Sequence, residues 1–296
     1  MDNDTLMPLL KISLVIFMAG NLLDMGLRLN PAEALRDLRN VRFVALTLIW
    51  GFVLAPALAY GIAHLMPLEE HYALGLVLMG MAPCAPFVPM LVAKGKGDLG
   101  FTAAFMMVAA VGTVVFMPLA VPLMVTGLTV TMWAVARPLL IMVLIPLLVG
   151  MAILRASPAF AGRLLPIVKK TTGVATLVLV VLIIAIYGKD MLSVGGSLAI
   201  ASQVIFFTVL ATMTYWVSFG MPHEQKIVLS MGITTRNIGA ALAPLLMVPG
   251  MDQRAVIMVV LGLPLMVIFA LLGAKWFGRH AATGGPGPGP VSAKGG

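Results

Sequence analysis

The sequence predicts an all-α polytopic membrane protein with about nine transmembrane helices, and three observations carry that prediction. Hydrophobic residues make up 61% of the 296-residue chain and charged residues 10%, against roughly 25% charge in an average soluble domain. A soluble fold of that composition could not cover itself with polar groups. Apolar runs long enough to cross a bilayer recur from Leu6 to Phe277 with only short breaks. The loops between those runs alternate between cation-rich and cation-poor.

Taken in order, the predicted spans are Leu6–Leu27, Val41–Leu65, Tyr72–Ala93, Leu99–Val125, Trp133–Leu154, Leu165–Tyr187, Gly196–Val217, Lys226–Val248 and Ala255–Phe277. The loop after the first carries Arg28, Arg36, Arg39 and Arg42 against Glu33 and Asp37. The loop after the third carries Lys94 and Lys96 against Asp98; that after the fifth carries Arg155, Arg163, Lys169 and Lys170 without an acid. Lys275 and Arg279 flank the last span. The alternate loops hold Glu69 with Glu70, Lys189 with Asp190, and Asp252 with Arg254. By the positive-inside rule the N-terminus lies outside and the C-terminus in the cytoplasm, in the cell's inner membrane.

No stretch is polar enough for a separate domain, so residues 1–280 read as one transmembrane unit and the Gly/Pro/Ala-rich residues 281–296 as a disordered tail. The net charge of +8 would suggest nucleic acid in a soluble protein. Here the cations sit in inter-span loops, which points to the lipid bilayer instead. Cys84 is the only cysteine, so neither a disulfide framework nor a multi-cysteine metal site can form. Asp2 and Asp4 replace the basic start of a cleaved signal, so the first run reads as a true span.

Two of the spans read as broken. The third contains Met81-Ala-Pro-Cys-Ala-Pro-Phe-Val-Pro-Met90, with a proline at every third position. Each proline removes a backbone donor and clashes with the preceding turn. The eighth contains Gly232-Ile-Thr-Thr-Arg-Asn-Ile-Gly239 and then Pro244. Unwound backbone at membrane depth survives only inside protein or along a cavity. One interrupted span in each half points to inverted repeats and a transport site between them.

Among ionisable groups, Arg236 stands out at mid-span, flanked by Thr234, Thr235 and Asn237. A charge there costs about 2.5–3.5 kcal/mol on insertion scales. It reads as a fixed positive charge for an anionic substrate; the alternative is a tie between broken-helix carbonyls. Asp24 is the one carboxylate within a predicted span. It reads as one half of an Asp24–Arg28 pair a turn apart, the alternative being a proton or cation ligand beside Asn21. Lys11 and Arg137 snorkel near span ends. No H-E-x-x-H, paired mid-membrane aspartates, serine nucleophile with histidine, or P-loop occurs, so an enzyme or an ATP-driven pump is not expected. Rings of like charge, the mark of a channel, are also missing.

At these same residues the chain resembles the bile acid:sodium symporter family. Pro83-Cys-Ala-Pro-Phe-Val-Pro89 with Lys96-Gly-Asp98 is similar to that family's first crossing helix. Gly232-Ile-Thr-Thr-Arg-Asn237 is similar to its second, and Phe17 to Leu27 to its first retained span. The resemblance implies panel and core domains, two crossed broken helices, and alternating-access transport of a small organic anion. It implies a substrate set of Arg236, Asn237, Thr235 and Thr234 with Pro86, Val88 and Pro89 and, from the first span, Asn21. The sodium ligands are largely replaced: Val88 and Pro89 stand for a Ser-Asn pair, Gly232 for a glutamate, Arg236 for a glutamine, and the neighbourhood of Gly51 for another. A residual cation set would be Thr102, Asn237 and Asp24, and Arg236 would stand where sodium otherwise sits. No other cofactor is implied. The carrier would then run without sodium, or proton-coupled in the manner of auxin-efflux-type carriers; a sensor or channel on the same fold is the other alternative. A homo-oligomer is left open.

Overall fold

A computed structural model describes residues 3–29, 31–124, 131–193, 198–247 and 254–283. It is all-α, with no strand among the described residues. Seven helices are long and apolar enough to cross a membrane. They are α1 (Asn3–Gly26), α3 (Val41–Leu65), α6 (Leu99–Met124), α7 (Met132–Ala156), α8 (Pro158–Ser193), α9 (Ala199–Trp216) and α12 (Ala255–Thr283). The other two predicted spans are each split into short helices, α4 (Glu70–Gly80) with α5 (Val88–Lys94), and α10 (His223–Thr234) with α11 (Ile238–Met247). Neither pair is counted by helix length, so seven continuous spans stand against the expected nine. A short α2 (Pro31–Asp37) lies between α1 and α3.

Local chemistry sets several of these boundaries. Asn40 accepts a hydrogen bond from the Phe43 amide at 3.1 Å and so starts α3. Ser157 does the same for Phe160 at 3.3 Å, with Pro158 in the first helical position of α8. Helix α8 therefore begins seven residues before the predicted Leu165, and Lys169 and Lys170 lie on a helix, not in a loop. Pro56 and Pro146 lack the amide that an unbroken α-helix would use. Just before each, the ladder widens by one residue into a π-turn, Trp50–Leu54 in α3 and Leu140–Leu144 in α7. Helix α12 runs on to Thr283, so residues 281–283 are helical. The rest of the expected tail, and Asp252 with its turn, lie outside the described residues.

Helices α1, α7 and α8 pack chiefly on one another. At the α1–α7 crossing a Cβ on Gly26 would come within 2.3 Å of the Leu147 carbonyl oxygen, so only small residues allow the approach. The second group is α3 against α4, α9 against α10 and α12, and α4 against α12, with α6 alongside. Outward-facing Val53, Val115, Leu177 and Val181 are all exposed, as lipid-facing side chains are. Residues 227–246 form an unbroken buried run, so α10 and α11 are enclosed by protein from about two turns before the break to its far side.

Candidate functional site

The two interrupted helices meet at their breaks. The Cys84 amide donates to the Thr235 carbonyl and the Asn237 amide to the Ala82 carbonyl, both at 2.9 Å. Together these form a single antiparallel bridge between Pro83 and Arg236. Groups freed by the prolines and glycines are thus paired across the crossing and not left bare in a medium without water. The Ala85 amide adds a bond to Thr235 Oγ1 at 3.3 Å. Asn237 Oδ1 accepts from the Ala240 amide at 3.1 Å and starts α11. Cys84 holds a left-handed backbone, φ +76°, at the point of closest approach.

Arg236 is fully buried in this junction. Its guanidinium donates to the Gly80 carbonyl at 3.3 Å and to the Ile233 carbonyl. These are terminal carbonyls of α4 and α10, where helix dipoles place partial negative charge. The Phe206 ring lies 5.4 Å from the guanidinium carbon, a cation–π contact. Arg236 has no carboxylate partner among the described residues. The sequence reads Arg236 as a fixed positive charge for an anionic substrate, with a tie between broken-helix carbonyls as the alternative; in the structure its guanidinium bonds the C-terminal ends of two half-helices. Thr234 and Thr235 are fully buried with it, and Thr234 Oγ1 has no hydrogen-bond partner among the described residues.

Gly232, which replaces an acidic residue of the related pattern, packs against Phe105. A Cβ there would lie 2.2 Å from the ring edge, so any side chain would collide. The remaining oxygens of the expected cation set are also engaged locally. Thr102 Oγ1 donates to the Asp98 carbonyl at 2.7 Å, and Asp24 pairs with Arg28 at 2.8 Å. That i,i+4 pair is the one the sequence favoured.

Beside the junction lies a cavity of about 550 Å³. One wall comes from α1 (Asn21, Asp24), the turn after it (Arg28) and α8 (Lys169, Thr172, Thr176); the other comes from the α5 break (Pro86, Pro89) and α6 (Thr102). Five predicted site residues therefore share this cavity: Asn21, Asp24, Pro86, Pro89 and Thr102. Val88, Thr234, Thr235, Arg236 and Asn237 do not line it; Val88 is fully buried behind the wall. Asn21 Nδ2 donates to the Phe17 carbonyl at 2.8 Å. Thr172 Oγ1 has no partner among the described residues.

Lys169 and Thr172 are the cavity residues that sequence reasoning missed. A signal was present: Lys169, Thr172, Gly173 and Thr176 recur at i, i+3, i+4 and i+7, one face of the helix. Lys169 stands close enough to the connection before this span to read as a loop cation, which hides it.

Crossed half-helices beside a partly charged cavity are the architecture of a secondary membrane transporter. A profile of the Sodium Bile acid symporter family matches residues 14–194, more than half of the chain, and the chain belongs to that family. It is also similar to the probable sodium/metabolite cotransporter BASS2, chloroplastic, of Oryza sativa subsp. japonica. The two are 24% identical over 266 residues, which is 84% of this chain and 61% of that relative. The chain thus spans less than two thirds of the length of the relative it matches.

Proposed function

We propose that the chain carries a small organic anion across the membrane by alternating access, without a requirement for sodium. The observation that carries this reading is the cavity between α1 and α8 on one side and the α4–α5 break on the other. It receives two cations, Arg28 and Lys169, and one carboxylate, Asp24, that already pairs with Arg28. The balance favours an anionic guest, with Lys169 as the cation without a carboxylate partner among the described residues. At about 550 Å³ the cavity falls in the range of small-molecule sites. The name of the rice relative speaks of a metabolite, which suits that size.

That name also speaks of sodium, and here the reading departs from it. Half-helix C-terminal ends in transporters coordinate sodium through their carbonyls. In this chain the guanidinium of Arg236 takes those ends at Gly80 and Ile233. Gly232 leaves no room for a carboxylate beside them. A permanent charge would thus fill the role of an imported one. With the cation-rich segments inside, a cavity lined by Arg28 and Lys169 would face the cytoplasm.

Uptake of labelled organic anions into vesicles, with sodium replaced by choline, tests both parts. Equal uptake in the two salts that falls about tenfold in Lys169→Ala supports the reading. Uptake that collapses in choline refutes sodium independence; uptake that survives Lys169→Ala unchanged refutes this cavity as the route.

A further inference from the structure

A second hollow, of about 560 Å³, lies between α9 and α12, away from the cavity described above. Its floor is aromatic. Tyr215 packs edge-on against Trp276 with ring centres 5.5 Å apart, and tilted against Phe277 at 4.8 Å. The Tyr215 hydroxyl meets His223 Nδ1 at 2.9 Å, so the ring is held in place. Phe269, Leu272 and Met231 make the apolar side. Leu272, which lines the hollow, is exposed, as are Ile268 and Leu271 near it on the same helix, one long and apolar enough to cross the membrane. On that surface the only solvent is acyl chain.

The rim is basic. Lys275 and Arg279 stand one turn apart on α12 and line the hollow together. Neither has a carboxylate partner among the described residues. Lys226 adds a third cation, its ammonium 5.8 Å from the centre of the Tyr215 ring. Interfacial tryptophans and snorkelling lysines are ordinary at a membrane boundary. A concave aromatic floor with two cations converging on one edge is a different shape, and it is complementary to a phosphate attached to a hydrocarbon chain.

We propose that this groove binds one anionic phospholipid, its acyl chain along Phe269 and Leu272 and its phosphate on Lys275 and Arg279. Charge complementarity selects this occupant. A second copy of the chain would bring like charges together, and a zwitterionic lipid would bring an ammonium of its own beside both cations.

Phosphatidylglycerol and phosphatidylcholine are titrated onto the detergent-purified full chain and bound lipid is counted by native mass spectrometry. The proposal expects one phosphatidylglycerol held about thirtyfold more tightly than phosphatidylcholine, since each of the two cations near a membrane surface contributes roughly fivefold. Lys275→Gln/Arg279→Gln should abolish that preference, while Arg36→Ala/Arg39→Ala, a change in another basic segment, should keep it. Thermal unfolding without added lipid checks that the variants remain folded; both substituted side chains are exposed on α12. Equal binding of the two lipids, a preference that persists in Lys275→Gln/Arg279→Gln, or a dimer that excludes lipid would each overturn the proposal. None of these readouts depends on transport, so the proposed function stands or falls separately.

Discussion

The two helix breaks face each other across one hydrogen-bonded bridge, yet they are treated differently by the fold. The break between α10 and α11 is sealed: every residue from 227 to 246 is buried, Arg236 included. The break between α4 and α5 is open on one side, where Pro86, Phe87, Pro89 and Met90 reach the cavity. The difference follows from how each solves the same problem. In the first, a side chain supplies the donors, binding both its own helix end and the neighbour's. In the second, three prolines remove donors, so fewer groups need partners and the chain can border a void. In the structure, then, the charged residue lies on the sealed side of the junction, and the uncharged, proline-rich segment borders the cavity.

The largest effect that would sharpen this contrast is expected from Arg236→Ala. It strands the Gly80 and Ile233 carbonyls and leaves a void in a fully buried place, at about 4 kcal/mol. Thermal unfolding in detergent should show most of the folded protein lost at temperatures the wild type survives. A variant as stable as wild type would break the comparison and return Arg236 to the role of substrate anchor. Next in size, Gly232→Glu places a side chain into the Phe105 ring and should destabilise by about 3 kcal/mol. Phe105→Ala in the same chain should recover part of that loss, and sodium-dependent stabilisation of the double variant would show a cation site restored.

On the open side the effects should fall on transport and spare stability. Pro86→Ala should leave the melting temperature within a degree or two and change the apparent affinity for the transported anion. A large loss of stability instead would mean that this break is as structural as the other. The smallest effect is expected from Asp24→Asn. Its pair with Arg28 is half-exposed on the arginine side, so stability should change by about 0.5 kcal/mol or less. Freed of its partner, Arg28 should tighten anion binding modestly, read as a lower half-saturation concentration for uptake.

Much of the fold was legible because the bilayer imposes a length and an apolar composition on each span. The two breaks were legible because proline and glycine act locally: Pro83, Pro86 and Pro89 announce an interruption whatever surrounds them. The wall of the cavity was less legible, since an all-apolar helix carries no stripe to say which face is covered. Where one face was marked, on α8, the nearness of Lys169 to the preceding connection masked it, although Ser157-Pro158 is a cap followed by a proline in the first helical position. The direction in which Arg236 reaches was not legible. Whether a guanidinium meets a guest or a carbonyl depends on Gly80, a residue distant in sequence and supplied by another helix.

That distance has a consequence for biogenesis. Arg236 and its partner Gly80 are 156 positions apart along the chain. At a synthesis rate of roughly 5–20 residues per second, the first broken helix waits about 10–30 s before its partner leaves the ribosome. Throughout that interval the carbonyls of Gly80 and Ala82 have no mate from the second crossing. A bare carbonyl is costly in lipid, so a nascent first half that stays in a wet or chaperoned setting until the second crossing arrives would be spared that cost.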